Sequence, residues 1–266
     1  MEFLFGFIGC GNMGSALCRA VAKKYSNKEI AVFDRHPEKL DALKDVATIC
    51  NSANEVAKKS KFLFIGAKPQ GYENTFNAIK QDLKNNKDVI IVSMAAGVSI
   101  SGVLAYADGN YPVVRIMPNT PCQIGSGVIL YTCNDKVLDV DKKTFVSALD
   151  GAGLVDEIDE EKIDVASCLS GCGPAFVYMY IDALKQAAIN LGLSEEKAHL
   201  YAIKTVEGSA TNAYSTGKPL SELIKAVCSP GGTTIEGVKS FEENDLYGIT
   251  EKAITASYKR TLELKK

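Results

Sequence analysis

A glycine-rich segment near the start of the chain limits the possible folds more than any other feature. The segment GFIGCGNMG places Gly9, Gly11 and Gly14 in a G-x-G-x-x-G spacing. It directly follows the apolar run FLFGFIG, which has the character of a β strand, and it opens a helical pattern from Asn12 to Lys24. A strand that turns through glycines into a helix begins a βαβ unit. The segment therefore predicts an α/β fold with a mostly parallel sheet.

Apolar runs and helical patterns alternate through about residue 158. The apolar runs are nearly continuous, as expected for strands of a parallel sheet that helices cover on both faces. Helical patterns follow several of them, including PEKLDALKD and a segment from about Tyr72 to Leu83. The predicted strands are FLFGFIG, EIAVFD, KFLFIGA, DVIIVSM, YPVVRIM and GVILYT. We therefore predict a Rossmann-type, doubly wound α/β domain over residues 1–158.

The strand pattern ends at about Glu160, and residues 159–266 are predicted to form an all-helical domain. The segment AFVYMYIDALKQAAINLG is apolar around most of its circumference. Further helices are predicted after Ser194, over PLSELIKAV, and from about Ile249 to Lys265. A domain of this size has too few residues to cover so apolar a helix, so we predict that the helix is buried against a second subunit.

The composition argues against several classes of function. Thirty basic and thirty-two acidic residues give a net charge of −2, so we expect no nucleic-acid partner and no binding to an anionic membrane. No apolar run approaches membrane-spanning length, and the first residues lack the basic segment of a signal peptide, so a cytoplasmic location is expected. The eight cysteines form no C-x-x-C pair, and the two histidines are His36 and His199. Neither a metal site nor a Ser-His-Asp mechanism is expected.

The first glycine-rich segment predicts a dinucleotide site. Gly9 would permit a tight turn, Gly11 would let a pyrophosphate approach the backbone, and Gly14 would let the helix pack closely on the strand. Asp34 ends the second predicted strand, where a carboxylate accepts a hydrogen bond from a ribose 2′-hydroxyl and favours NADH. The adjacent Arg35 can hold a 2′-phosphate and favours NADPH. The sequence leaves the choice between NADPH and NADH open.

Small residues follow two further strands at the edge of the sheet where such folds bind ligands. The segments GAKP and SMAAG would let a flat ring approach the backbone, and MPNTP places Asn119 between two prolines. A tight turn alone would also explain MPNTP. The predicted cofactor-binding residues are Ile8, Gly9, Cys10, Gly11, Asn12, Met13, Gly14, Asp34, Arg35, Ala67, Lys68, Pro69, Ala95, Ala96, Gly97 and Asn119.

A second glycine-rich segment, CSPGGTTIEG at residues 228–237, separates two helical patterns. The residues on both sides are helical in period, so the break is predicted to be a fixed turn and not a flexible linker. The first N–H groups of the helix that follows would lack partners, and its dipole favours negative charge. The turn is therefore suited to hold a carboxylate. A simple turn between helices, capped by threonine, is the alternative.

These motifs together resemble those of pyrroline-5-carboxylate reductases over nearly the whole chain. The resemblance is carried, in order and spacing, by GFIGCGNMG, AKP, SMAAGV, MPNTP, LSGCGPAF and CSPGGTTIEGV. It implies reduction of the C=N bond of 1-pyrroline-5-carboxylate to L-proline by NADPH or NADH, the last step of proline biosynthesis. It also implies a helical dimerisation domain, a substrate site between the domains, and a homodimer that often assembles further into a decamer.

The resemblance also implies roles for individual residues. The backbone N–H groups of Thr233 and Thr234 would hold the substrate carboxylate, and the Thr234 hydroxyl, the predicted catalytic group, would face the ring nitrogen. Whether that hydroxyl donates a proton or only orients the substrate is left open. Glu160 would favour the iminium form, although a surface charge in the acidic stretch DEIDEEK is an equal alternative. The predicted substrate-binding residues are Glu160, Ser229, Gly231, Gly232, Thr233 and Thr234.

Two other functions stay open from the sequence. A hydroxyacid dehydrogenase of similar architecture would need a basic residue at the domain junction. The segment LSGCGPAF has none, and the next lysine is Lys185. A nucleotide-sensing protein of the same fold, without turnover, belongs to a different class. The intact SPGGTT segment argues against it. The size of the oligomer and inhibition by proline cannot be read from the sequence.

Overall fold

The computed structural model describes residues 2–264. Within them, the chain divides into two compact units. The first extends to Cys172 and also includes the segment from Ser257 onward, and the second is Gly173–Ala256. The predicted boundary between residues 158 and 159 stays a prediction. The predicted end of the last helix, Lys265, lies outside the described residues.

Eight strands form one sheet in the first unit, in the order β3-β2-β1-β4-β5-β6-β7-β8. All neighbouring strands are parallel except β6 and β7, which are antiparallel. The strands are β1 (Phe3–Ile8), β2 (Ile30–Phe33), β3 (Thr48–Ile49), β4 (Ser60–Ile65), β5 (Ile90–Ser93), β6 (Val113–Pro118), β7 (Gly127–Cys133) and β8 (Gly153–Glu157). The prediction of a doubly wound, mostly parallel sheet is confirmed.

Helices cover both faces of the sheet, and strand β4 shows why its sequence is continuously apolar. Phe62 and Phe64 belong to one buried apolar cluster, whereas Leu63 and Ile65 belong to a second cluster. Successive side chains of a strand point to opposite faces, so both faces of β4 are buried. The helices of this unit are α1 (Asn12–Val21), α2 (Ala53–Lys59), α3 (Tyr72–Asn85), α4 (Ile100–Ala107), α5 (Asp139–Leu149) and α6 (Glu160–Ser170).

The helix predicted over PEKLDALKD is wrong. The chain forms two short 3₁₀ turns there, Pro37–Lys39 and Asp41–Leu43. Leu40 and Leu43 are the buried residues of this segment, and a spacing of three suits the tighter 3₁₀ geometry. The strands β3 and β8 and the α-helices α2, α5 and α6 of this unit were also not individually predicted. β3 has two residues and β8 is a mostly exposed edge strand, so neither carries a clear apolar pattern.

The second unit is helical, as predicted. It contains α7 (Gly173–Asn190), α8 (Glu195–Thr216), α9 (Leu220–Val227) and α10 (Thr233–Glu243), followed by the first part of α11 (Leu246–Leu264). Helices α7 and α8 pack together, yet Ala198 and Ala202 are the only buried residues among those described in this unit. Large apolar side chains stay exposed in the single chain, for example Met179 at 71% and Tyr178 at 59%. Within residues 2–264, no helix is both long and apolar enough to cross a lipid bilayer.

Candidate functional site

Three glycines bring the main chain of different elements together at the carboxyl ends of β1 and β4. Gly9 has φ +95°, in the region that favours glycine. A Cβ on Gly14 would lie 3.3 Å from the carbonyl carbon of Gly9, with the carbonyl oxygen closer still. A Cβ on Gly66 would lie 3.2 Å from the same carbon. These glycines therefore let α1 and the loop after β4 approach the turn after β1.

Gly11 differs from these three because it faces open space. It caps α1 with φ −69°, and a Cβ built there meets no atom within 4 Å. The first N–H groups of the helix, at Asn12 and Met13, have no intrahelical partners. Open space beside unpaired N–H groups at the positive end of a helix fits a pyrophosphate. The residues present are therefore suited to a dinucleotide.

Asp34 holds the glycine turn in place. Its side chain is 8% exposed, its Oδ2 accepts a hydrogen bond from the Cys10 N–H at 2.7 Å, and its Oδ1 accepts one from the His36 N–H at 2.9 Å. The Nζ of Lys39 lies 3.6 Å from Oδ1. A carboxylate has about four lone-pair positions, so Asp34 can still accept from a ribose hydroxyl. The adjacent Arg35 is exposed, and the cofactor roles of both residues stay predictions.

Cys10 is a buried thiol and not a nucleophile. Burial, followed by the nearby Cys18 and Asp34, raises the pKa of the Cys10 thiol to about 12, so it stays protonated at neutral pH. Its N–H already bonds to Asp34, which leaves the amides of Asn12 and Met13 as the better phosphate donors of the turn. All eight cysteines are free. Among the described residues, no group of three or more His, Cys, Asp and Glu could hold a metal ion.

The two other predicted cofactor loops leave the neighbouring strands β4 and β5. In the first loop, Ala67 and Pro69 are half-buried and Lys68 is exposed. In the second, Ala95 is buried and Ala96 is exposed. Parallel neighbouring strands end at the same edge of the sheet, so both loops lie beside the glycine turn after β1. Gly97, at φ +74°, completes the second loop.

Asn119 connects parts of the fold. Its Nδ2 donates to the Ser170 carbonyl at 2.9 Å, and its Oδ1 accepts from the Val128 N–H at 2.8 Å. The side chain is 8% exposed. These bonds join the turn after β6 to β7 and to the end of α6. They account for Asn119 without a ligand, and its cofactor role stays a prediction.

A buried arginine that sequence reasoning missed lies beside Glu160. Arg115 on β6 is 1% exposed, and its Nη2 donates to Asp164 Oδ1 at 2.5 Å. Its Nη1 lies 3.6 Å from Glu160 Oε1, which also accepts from the Ile100 N–H at 2.7 Å. Glu160 therefore connects the start of α4 to α6. A lone arginine within the apolar run YPVVRIM was a signal for this network, because a buried charge needs a partner.

The second glycine-rich segment forms the predicted turn between two helices. Gly231 has φ +70°, and Gly232 caps α10 with φ −80° and ψ 169°. A glycine cap has no side chain to accept from the first N–H groups, so those of Thr233 and Thr234 have neither an intrahelical partner nor a cap. Ser229, Thr233 and Thr234 are exposed in the single chain. The turn therefore has the geometry of an anion site.

Comparisons with known proteins agree with this arrangement. The chain is 34% identical to pyrroline-5-carboxylate reductase of Escherichia coli over 270 residues, which covers 100% of both chains. The chain belongs to the pyrroline-5-carboxylate reductase family. Residues 160–264 match the family model for pyrroline-5-carboxylate reductase dimerisation, and residues 4–97 match that for NADP oxidoreductase, coenzyme F420-dependent.

Solved structures of family members have the same fold along the whole chain. A pyrroline-5-carboxylate reductase from Coxiella burnetii has a TM-score of 0.92 at 31% identity. The Plasmodium falciparum pyrroline carboxylate reductase, solved with NADP bound, has a TM-score of 0.89 at 28% identity. Each match covers 100% of this chain and of the related chain. The resemblance found from the sequence motifs is confirmed.

Proposed function

We propose that the protein is a pyrroline-5-carboxylate reductase that uses NADPH or NADH to reduce the C=N bond of 1-pyrroline-5-carboxylate to L-proline. The observation that carries this proposal is the sequence identity of 34% and 31% to two family members over the full length of each chain. It is supported by two glycine-rich turns, each followed by a helix whose first N–H groups are free for an anion. One turn suits the pyrophosphate of a dinucleotide and the other suits a carboxylate.

The first unit would hold the cofactor. The N–H groups at the start of α1 would bind the pyrophosphate, with Gly11 leaving room for it. The loops after β4 and β5 would hold the nicotinamide half through Ala67, Ala95 and Ala96. The reduced nicotinamide, when bound, supplies a hydride. Asp34 supports the cofactor indirectly, since its carboxylate fixes the glycine turn.

The second unit would supply the groups that hold the substrate. The N–H groups of Thr233 and Thr234 would bind the carboxylate at the positive end of α10. The Thr234 hydroxyl would hydrogen-bond the ring nitrogen and fix the orientation of the imine. The carbon of the protonated imine accepts the hydride, the C=N double bond becomes a single bond, and the nitrogen keeps its proton, which gives proline. Holding both reactants in one geometry can itself supply up to about 7–11 kcal/mol in favourable cases.

We further propose a homodimer, and a decamer of five dimers as its larger assembly. The dimerisation model matches residues 160–264, and α7 and its neighbours expose large apolar side chains such as Met179 and Tyr178. Exposed apolar surface of this kind marks protein interfaces. Light scattering at micromolar concentration tests the assembly, and the mass of the single 28.6 kDa chain would contradict it. The cytoplasmic location stays a prediction.

The decisive experiment is a steady-state assay with 1-pyrroline-5-carboxylate and each cofactor in turn. We expect oxidation of NADPH or NADH that depends on the imine. A hydroxyacid dehydrogenase would instead reduce NAD(P)⁺ when given a hydroxyacid. A nucleotide-sensing protein would bind the cofactor without turnover. The ratio of the two cofactors' kcat/KM values would also decide the opposing predictions from Asp34 and Arg35.

A further inference from the structure

Tyr72 is a buried tyrosine at the start of α3, just after the GAKP loop. Its side chain is fully buried, and its ring packs against Phe76 and Tyr106, with centroid distances of 5.6 and 6.1 Å. Burial raises the pKa of Tyr72 to about 12, so the hydroxyl stays protonated at neutral pH. A buried phenol hydroxyl has one donor and two acceptor positions that need partners.

The hydroxyl of Tyr72 finds partners on both neighbouring strands. It donates to the carbonyl of Ile65 at 3.1 Å and accepts from the Met94 N–H at 3.2 Å. It also lies 3.0 Å from Ser93 Oγ. The single phenol proton goes to Ile65, so Ser93 is the donor in this last pair. One hydroxyl therefore joins the last residue of β4 to the end of β5 and the residue that follows it.

These bonds lie where the pairing of β4 with β5 stops. The register of the two strands ends at the pair Ile65 and Ser93. The first amide after β4, that of Gly66, donates to the Ile8 carbonyl of β1 at 2.7 Å and not to β5. The Tyr72 hydroxyl continues the connection between β4 and β5 at this point. It thereby connects the points at which the two loops leave the strands.

We propose that Tyr72 is a positioning residue that holds the Gly66–Pro69 and Met94–Gly97 loops at the spacing required by the nicotinamide half of the cofactor. The inference rests on the proposed function, since it assigns both loops to the cofactor. Tyr72 makes none of the contacts that hold the pyrophosphate turn at Gly9 and Gly11. Its effect should therefore fall on one half of the dinucleotide.

The test removes only the hydroxyl. In Tyr72→Phe the ring keeps its packing, but the Met94 N–H and the Ser93 hydroxyl lose a buried partner. We expect the Kd for NADP⁺ to rise about tenfold and kcat/KM for NADPH to fall by a similar factor. The Kd for ADP, which has the adenosine and pyrophosphate but no nicotinamide, should stay the same. Calorimetric titration of the full-length protein gives both constants.

Tyr106→Phe is the matched control. It removes the same atom from the ring beside Tyr72 but breaks none of these bonds, so it should leave both constants unchanged. Ser93→Ala is the second variant, which removes one partner of the Tyr72 hydroxyl. It should raise the Kd for NADP⁺ by a smaller factor than Tyr72→Phe does and should leave the Kd for ADP unchanged. It replaces Tyr72→Phe if that variant does not fold.

Two outcomes would overturn the proposal. One is wild-type affinity for NADP⁺ in Tyr72→Phe or, if that variant does not fold, in Ser93→Ala. The other is an equal loss for NADP⁺ and ADP, which would indicate general damage to the fold. The proposed function fails separately, if the wild-type protein binds NADP⁺ but does not reduce 1-pyrroline-5-carboxylate. Binding is measured without the imine, so the two failures are distinguishable.

Discussion

Alanine at Gly11 should mainly weaken cofactor binding, whereas alanine at Gly14 should mainly destabilise the fold, although the two residues lie in one motif. A Cβ on Gly11 meets no protein atom within 4 Å, and φ is −69°. The only stability cost is that alanine is a poorer N-cap residue than glycine, so Gly11→Ala should reduce the free energy of unfolding by at most about 1 kcal/mol. The same Cβ would enter the space for the pyrophosphate. We expect the Kd for NADPH to rise at least about tenfold, or 1.4 kcal/mol.

Gly14→Ala should instead damage the fold. Its Cβ would overlap the carbonyl of Gly9, which is backbone and cannot rotate away. Overpacking of this kind costs about 3 kcal/mol at the upper end of its usual range. Alanine gains about 1 kcal/mol over glycine as a helix former. The free energy of unfolding should therefore fall by about 2 kcal/mol.

Two measurements check this pair of variants. Urea unfolding at one fixed protein concentration gives the stability of each variant, and a fluorescence titration gives its affinity for NADPH. The reasoning would be refuted if Gly11→Ala bound NADPH like the wild-type protein, or if Gly14→Ala were as stable as the wild type. Gly11→Val, with a larger side chain, should abolish binding altogether.

Three further predictions follow from named contacts. Thr234→Ala should lower kcat/KM at least about tenfold with little change in the affinity for nicotinamide cofactors. Thr233→Ala, which keeps its backbone N–H, should remain active. Equal kcat/KM values in the two variants would show that the Thr234 hydroxyl is incidental. Arg115→Met removes the guanidinium that is paired with the buried Asp164 carboxylate, so the free energy of unfolding in urea should fall by about 3–5 kcal/mol, and a fall below about 1 kcal/mol would contradict this pairing. Burial raises the pKa of the Cys18 thiol from 9.0 to about 12. Above pH 9 the unfolded chain therefore loses this proton before the folded chain does, and the free energy of unfolding falls by up to about 1.4 kcal/mol per pH unit. The wild-type protein should lose more stability between pH 9 and 11 than Cys18→Ala, and parallel plots of unfolding free energy against pH would argue against the shift.

The sequence predicted the sheet well because its signals are local. Continuous apolar runs identify strands that are buried on both faces, and the G-x-G-x-x-G spacing identifies the turn after β1. The break at residues 228–232 was also readable, since a proline followed by two glycines disfavours a continuous helix. The two-residue strand β3 and the exposed edge strand β8 carry too few apolar positions for such a signal.

The partners of polar residues were not readable from local sequence. Asp34 has the position of a ribose-binding carboxylate, but its bond to the Cys10 N–H depends on how β1 and β2 lie side by side. Tyr72 looks like any residue that begins an amphipathic helix, and only the register of β4 with β5 reveals its role. The charge of Arg115 within an apolar run indicated a buried ion pair, but the local sequence did not identify its partner. Such contacts join residues far apart in the chain.

Three titratable groups near the predicted cofactor loops already hold the structure. Asp34 accepts two backbone N–H groups, Glu160 accepts from Ile100 and lies beside Arg115, and Cys10 is kept as a thiol. A group bound in this way is poorly placed to act as the strong general base that some reactions require. Hydride transfer to an imine that is already protonated has no such requirement. What this part of the chain provides is fixed geometry, which can contribute up to about 7–11 kcal/mol to such a reaction in favourable cases.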